Sequence, residues 1–423
     1  MAKLIDITGK AISGEWGTDD LVGNGVPVLR TTNFTNIGVV NFNNVVTRQI
    51  VKKSISEKLL RYGDIIIEKS GGSDKQPVGR VVFFEGEENK YLFNNFTGLL
   101  RVRDFCEWNP KYIFYSLFAN YAKGGTIPFE NRTTGLHNLQ TDSYVNSVMI
   151  VERKIEEQTD IVTILDKVNQ LINYEKKQLE DLDILVKSRF IEMFGDPVLN
   201  NKGWPVKKLK QLTSKISSGN TPKGGREVYV SEGITFFRSQ NVWRNYFDMS
   251  DIAYIDEATH KKMADTSLKH GDLLITKTGR FNTENSSLGR TALFLGENDS
   301  ANINGHVYLV RLKAGINHQF VLHILISNQF RDLIRKVCVG GIDKRQLNKN
   351  HIEDFPIIIP PLEQQEKYAD FVKQVDKSEF VERFPELSLF FKAYSPLDSE
   401  MICIFPYFCP YAESAREIRE IFS

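Results

Sequence analysis

Leu60-Arg61-Tyr62-Gly63-Asp64-Ile65-Ile66-Ile67-Glu68-Lys69-Ser70-Gly71 has a second version 208 residues further on, Leu268-Lys269-His270-Gly271-Asp272-Leu273-Leu274-Ile275-Thr276-Lys277-Thr278-Gly279. The stretch before it behaves alike: Gly25-Val26-Pro27-Val28-Leu29-Arg30-Thr31-Thr32-Asn33 answers to Gly233-Ile234-Thr235-Phe236-Phe237-Arg238-Ser239-Gln240-Asn241, again at 208. Gly79–Phe84 meets Gly289–Phe294 at 210, and Ile155-Glu156-Glu157-Gln158 meets Leu362-Glu363-Gln364-Gln365 at 207. Four blocks in the same order at a near-constant offset make the chain two copies of one unit, each a globular part followed by a helical part.

Inside the globular parts the local signals are those of strands. Ile65–Ile67, Val81–Phe84, Leu273–Ile275 and Ile357–Ile359 are short apolar runs bounded by Gly, Asp or Pro. Gly63-Asp64 and Gly271-Asp272 read as turns leading into strands. Segments 109–121 and 317–337 carry apolar residues at helical spacing, among them Phe320, Ile324 and Ile334. Each unit is therefore expected to be mixed α+β.

Between the globular parts, Lys154 to Phe194 contains neither Gly nor Pro. Leu165, Ile172, Leu179 and Val186 recur every seven residues, flanked by Ile164, Val168, Leu171 and Leu182. Gly195-Asp196-Pro197 ends the pattern. A matching helix is expected after Pro360-Pro361, with Tyr368, Phe371, Val372 and Val375 as its apolar face. Two long helices with facing stripes would pack as an antiparallel coiled coil. The expected division is 1–152 for the first globular domain, 153–197 for the central helix, 198–360 for the second domain and 361–378 for a shortened distal helix. Residues 379–423, where Phe384-Pro385 and Ser395-Pro396 break the heptads, read as an atypical tail that a recombination or a shifted frame would explain.

The chain has 423 residues, with 54 Lys+Arg against 53 Asp+Glu. Its 28 Phe and 15 Tyr exclude a disordered polymer. No apolar run is long enough to span a bilayer, and the first residues lack the apolar core of a secretory signal. The four cysteines (106, 338, 403 and 409) form no CxxC, as expected in a reducing cytoplasm. The near-neutral total hides a segregation. Residues 1–150 have a net charge of +2 and 198–360 of +8, whereas 151–197 have −4 and 361–423 have −5. Basic globular parts fit a nucleic-acid partner, and acidic helices fit a protein partner.

Catalytic signatures are missing: no Walker A run, GxGxxG, HExxH, GxSxG or metal-spaced Cys/His set. Asn109-Pro110-Lys111-Tyr112 is the nearest approach to an amino-methyltransferase motif, and a helix N-terminus with Pro in its first turn accounts for it. The repeats do carry polar recognition chemistry. Arg30 and Asn33, and Arg238, Gln240 and Asn241, follow a short strand in both copies. Arg reads guanine and Asn or Gln reads adenine in the major groove. Lys69-Ser70-Gly71 and Lys277-Thr278-Gly279 combine a cation, a hydroxyl and open backbone in a loop suited to phosphate. Lys75, Arg80, Arg280 and Arg290 lie nearby in sequence. The plain alternative is that these Arg and Asn side chains bond neighbouring strands and the lysines are solvated.

Arg189-Phe190-Ile191-Glu192-Met193-Phe194-Gly195-Asp196-Pro197, followed by Lys202-Gly203-Trp204-Pro205, resembles the end of the central helix and the start of the second recognition domain in specificity subunits of type I restriction–modification systems. Ile357-Ile358-Ile359-Pro360-Pro361-Leu362-Glu363-Gln364-Gln365 resembles the start of their distal helix, and Val148–Gln158 is its counterpart in the first unit. The resemblance covers about residues 3–378. The first unit lacks the Trp-Pro lead-in of the second, although Leu4–Gly14 aligns with Leu209–Gly219.

The resemblance implies a non-catalytic DNA-binding subunit. Each target-recognition domain would read half of a bipartite gapped site in double-stranded DNA. The helices would fix the spacing and dock modification subunits, with restriction subunits joining the assembled complex. It implies no cofactor in this chain: S-adenosylmethionine and ATP would serve the partner subunits. A fused or cryptic methyltransferase or nuclease, and a coiled-coil adaptor that binds no DNA, are the competing readings. The charge imbalance adds the expectation that the second domain makes more phosphate contacts than the first.

Overall fold

The structure, a computed structural model, describes residues 1–375 apart from 52–54, 74–75, 134–135, 282 and 284. Lys75, the last residues of the expected distal helix and the expected tail over 379–423 lie outside the described residues. The described residues form two compact units, Met1–Gln178 and 179–375.

The first unit is built on a four-stranded antiparallel sheet in the order Ile12–Ser13, Thr97–Leu100, Ile65–Glu68, Val81–Phe83. A second four-stranded sheet runs Thr18–Asp19, Val46–Gln49, Val26–Leu29, Leu92–Phe93, its last pair parallel. A three-stranded sheet joins Glu130–Thr133, Leu136–Leu139 and Ser70–Gly72. The second unit has the same three orders. They are Thr213–Ser218, Val307–Leu312, Leu273–Thr276, Thr291–Leu293; then Tyr229–Val230, Ala253–Ile255, Ile234–Phe237, Ala301–Ile303; then Val339–Gly340, Lys344–Gln346, Thr278–Arg280. In each unit a short antiparallel pair ties the beginning to the end, Ala2–Lys3 with Met149–Ile150 and Val206–Lys208 with Pro356–Ile358.

The unbroken apolar run Ile65-Ile66-Ile67 has a physical reason. Successive side chains of a strand point to opposite faces. Ile65 and Ile67 enter the core that holds Tyr112, Phe114 and Leu117, while Ile66 enters a separate core with Leu29, Phe84 and Phe93. Leu273 and Ile275 against Leu274 repeat the arrangement. A strand buried on both faces has no polar alternation to show. The turns before these strands need glycine, with Gly63 at φ +90° and Gly271 at +89°. The following aspartate is the keystone. The buried Asp64 takes two bonds from Arg101, both 2.7 Å, and Asp272 takes two from Arg311 at 2.8 and 2.7 Å.

The helix Pro110–Ala122 starts as expected, with Asn109 accepting from the amides of Lys111 and Tyr112. The expected helix over 317–337 is two helices, His318–Ile326 and Asn328–Val337. Ser327 divides them: its hydroxyl donates to Ile324 O at 2.7 Å and accepts from Phe330 N at 3.2 Å, closing one helix and capping the next.

The central helix spans Ile155–Phe194. It is not set apart as a separate domain. Ile161, Leu165, Val168 and Ile172 belong to the core of the first unit, whereas Val186, Phe190 and Phe194 belong to that of the second. The expectation that this stripe forms a helix or partner interface is corrected for Leu165, Val168 and Ile172, which are buried within the core of their own unit. Ile164 is partly buried against the same core. Leu171 is exposed, and Leu179 and Leu182 are half-buried. The distal helix, Leu362–Gln374, buries Tyr368 against Phe190 and Phe194, and Phe371 and Val375 pack on the same core. The repeated Gln158 and Gln365 are buried clamps. Gln158 accepts from Asn109 N (2.9 Å) and donates to Glu107 O and Arg153 O; Gln365 accepts from Asn317 N (3.1 Å) and donates to Pro360 O. Each ties the first turn of a long helix to the capping residue of a shorter one.

Candidate nucleic-acid interface

The loops that carry the expected base-reading side chains follow the strands Val26–Leu29 and Ile234–Phe237. In the first, Asn33 is 2% exposed. Its Oδ1 accepts from Arg30 N at 3.0 Å, and its Nδ2 donates to Asn41 O (3.0 Å) and Asn43 O (3.3 Å). In the second, Asn241 is 1% exposed, accepts from Arg238 N at 3.0 Å and donates to Asp248 O (2.9 Å) and Asp251 O (3.1 Å). The whole amide is used on backbone in both, leaving no edge for adenine. The base-reading expectation is therefore corrected for Asn33 and Asn241, which staple their own loops.

Their neighbours are also engaged. Arg30 is half-buried and donates to Asn44 O at 3.4 Å. Arg238 is buried, lies 3.2 Å from the Asp251 carboxylate and also bonds Asp251 O. Gln240 is exposed and donates to Asp251 Oδ2 at 2.9 Å. The Gln240 bond, then Arg238, holds the Asp251 carboxyl below the usual carboxylate range.

The expected phosphate loops turn out to be strands. Ser70–Gly72 pairs with Leu136–Leu139, and Thr278–Arg280 with Lys344–Gln346. Ser70 and Thr278 are half-buried there. Gly71, at φ +130°, is exposed, whereas Gly279 is buried so closely that a Cβ would lie 2.2 Å from Leu288 N. Gly279 therefore answers to packing. Lys69 is half-buried, with its ammonium 3.2 Å from Ser13 Oγ. Burial pushes its pKa down, Lys58 adds to that, and Asp142 opposes it. Lys277 lies over the Tyr308 ring at 5.7 Å. Arg280 is exposed, 3.8 Å from Asp343.

The repeated Arg80 and Arg290 differ sharply. Arg80 grips the buried Glu68 carboxylate with two bonds, 2.9 and 3.0 Å. Burial pulls its pKa down, but the Glu68 bonds and charge more than offset this. Position 276 holds Thr where position 68 holds Glu. Arg290 instead stacks 3.6 Å from the Trp243 ring and donates to Asn285 O (2.6 Å) and Ser286 O (3.1 Å). The sequence motifs do not single out Arg244, Arg331 or Arg335. Arg331 donates to Thr283 O at 3.4 Å, against the segment that holds Arg290. Burial lowers the pKa of Arg244, and the charges of Arg331, Arg290 and Arg335 lower it further. Among the described residues neither Arg244 nor Arg290 has a carboxylate within ion-pair distance, and no His/Cys/Asp/Glu group could hold a metal ion. Comparing the two copies position by position would have found this cluster, because it is where they disagree.

Comparison with known proteins matches residues 201–385 to the type I restriction modification DNA specificity domain. The chain is 23% identical over 278 residues to the type I restriction enzyme MjaVIII specificity subunit of Methanocaldococcus jannaschii, a match that spans 63% of each chain. The fold is shared with the S subunit of a type I restriction–modification system from M. genitalium (13% identity, 95% of both chains, TM-score 0.54). A chain from a structure concerned with complex assembly and conformational transition of the type I R-M system is similar as well (14% identity, 96% of both chains, TM-score 0.50). The resemblance read from the sequence is borne out. Among the described residues no helix is long and apolar enough to cross a membrane.

Proposed function

We propose that this chain, whose residues 201–385 match the type I restriction modification DNA specificity domain, is the DNA-reading subunit of a type I restriction–modification complex. One observation carries the reading: the strand orders of the unit holding that domain recur in the first unit, so one chain presents two recognition domains of the same build. Each domain reads one half of a bipartite site in double-stranded DNA. The central and distal helices, packed as an antiparallel pair, set the gap and dock modification subunits, and restriction subunits join for cleavage. The chain itself is non-catalytic and works in the cytoplasm. Methyl transfer and ATP-driven steps, with S-adenosylmethionine and ATP, belong to the partner subunits.

The test is a methylation map of host DNA with and without the gene. Loss of one gapped, two-part motif in the deletion is expected. An unchanged map in a host whose modification subunit is expressed would refute the reading.

A further inference from the structure

In the second unit the strands Thr278–Arg280, Lys344–Gln346 and Val339–Gly340 form a small antiparallel sheet whose two faces differ. Residues opposite each other on antiparallel strands point to the same side, and successive residues point to opposite sides. Thr278 stands opposite Gln346 and Arg280 opposite Lys344; Val339 flanks Gln346 on the third strand. These five side chains share one face. Gly279, Arg345 and Gly340 share the other.

The glycine face is spent on the fold. The Arg345 guanidinium lies 4.1 Å over the Phe281 ring, and its Nε donates to Gly341 O at 3.3 Å. Phe281 N donates to Asp343 O at 2.8 Å, and Leu347 N to Lys277 O at 2.8 Å. These contacts set the turn and the base of the ribbon in advance, which lowers the cost of binding.

The other face is open. Arg280, Lys344, Gln346 and Val339 are exposed there, and Ile342 at the tip is 89% exposed. Gln346 gives one N–H to Asn348 Oδ1 at 3.2 Å, whereas the amide of Asn241 is fully used on backbone. Two cations directly opposite each other weaken a sheet. The exposed Asp343 carboxylate is 3.8 Å from Arg280, at the edge of ion-pair distance, and such a contact contributes little. An anion laid across the face turns the repulsion into attraction. The major groove of duplex DNA supplies that charge and admits a β-ribbon. Its guanine edges take Arg or Lys, its adenine edges take Gln, and its thymine methyls take an apolar contact.

The first unit repeats half of this chemistry. At the offset of 208, Ser70 stands for Thr278 and Asn138 for Gln346, and the two are again register partners. Gly72 stands for Arg280 and Leu136 for Lys344. The hydroxyl–amide pair is common to both units, while the cation pair belongs to one, as two domains that read different half-sites require.

We propose that this sheet is the element of the second unit that enters the major groove, with Arg280, Lys344 and Gln346 facing the base edges of one half-site. The proposal rests on the DNA-reading function above and names the surface that performs it.

The experiment maps methylation in a host that expresses the modification subunit with the full chain, then measures binding of the full chain to a duplex carrying the mapped motif. Arg280→Ala with Lys344→Ala, and separately Gln346→Ala, should relax the bases accepted at one half of the motif and leave the other half unchanged. Affinity for the motif duplex should fall about tenfold or more. Asn138→Ala should relax the opposite half. Lys261→Ala, which removes an exposed cation outside the sheet, should reproduce the wild-type map. Gln346→Ala alters a single exposed side chain and carries the test if the double variant fails to fold. Unchanged motif and affinity in Gln346→Ala and the double variant would overturn the proposal and leave the DNA reading standing. So would relaxation of both halves alike. Lost modification with unchanged duplex affinity would assign the face to the modification subunit and overturn it too. A wild-type map without a two-part motif would bring down the DNA reading and this inference together.

Discussion

Replacing Asp272 by alanine should unfold the second unit's main sheet at markedly lower denaturant while leaving the first unit intact. Asp272 has 1% of its side chain exposed and takes three bonds: two from Arg311, at 2.8 and 2.7 Å, and one from Lys269 N at 2.7 Å. Its removal strands a guanidinium with Ser267 O as its remaining acceptor, at 3.1 Å. Breaking a buried pair from one side costs about 3–5 kcal/mol, because the other charge stays behind uncompensated. The Arg311 side chain is 22% exposed, so water reaches part of it. The expected cost is therefore at the low end, about 3 kcal/mol. That corresponds to a urea midpoint lower by about 1–2 M for the second unit. Hydrogen exchange at Leu273–Thr276 and Val307–Leu312 reports it directly, with Ile65–Glu68 and Thr97–Leu100 as internal controls. Adding Arg311→Met should recover about half the loss, since the stranded charge is then gone. A loss below about 1 kcal/mol, or a double variant no better than the single, would refute the claim that the ion pair anchors the sheet.

Gln365→Ala leaves Asn317 N and Pro360 O without partners at a buried site, so about 2–3 kcal/mol should be lost. Faster hydrogen exchange over Leu362–Gln374 checks it. Asn241→Ala should cost about 2–4 kcal/mol in the absence of DNA, because three backbone groups lose their bonds; a thermal melt equal to wild type would return Asn241 to the base-reading candidates. Lys69 should lose its proton before the exposed lysines, since burial disfavours its charged form. Competitive amine labelling against pH measures this. The sign follows: the unfolded chain holds this proton more tightly, so the Lys69 contribution to stability rises with pH between its lowered folded value and the ordinary lysine value.

The architecture was legible because the chain states it twice. Strand runs, the Gly-Asp turns and the start of the long helices all stood out at offsets of 207–210. The helix break at Ser327 was missed because apolar spacing continues through it; the signal was the capping serine itself. The heptads misled in a specific way. A repeating apolar stripe shows that a helix buries one face, not what covers it, and here Leu165, Val168 and Ile172 are covered by their own unit. The polar motifs misled more. Arg-x-x-Asn looked like recognition chemistry because it recurs, yet it recurs because both copies need the same loop stapled in the same place.

The same logic, turned round, explains the uneven charge of the two units. A feature that the fold demands must appear in both copies, as the Asp64–Arg101 and Asp272–Arg311 pairs do. Glu68 fails that test. Thr276 occupies the corresponding place and fills it with backbone bonds, accepting from Arg290 N at 2.8 Å. The sheet therefore does not require a carboxylate at this position. What Glu68 does is answer the guanidinium of Arg80, at 2.9 Å, whose counterpart in the second unit is Arg290. With Thr in its place, the Arg290 guanidinium stacks on Trp243 and bonds the backbone of Asn285 and Ser286 instead. The difference between +2 and +8 is thus not spread evenly over two similar surfaces. Part of it sits at one matched location, where a buried acid answers the arginine in one unit and a threonine stands in the other.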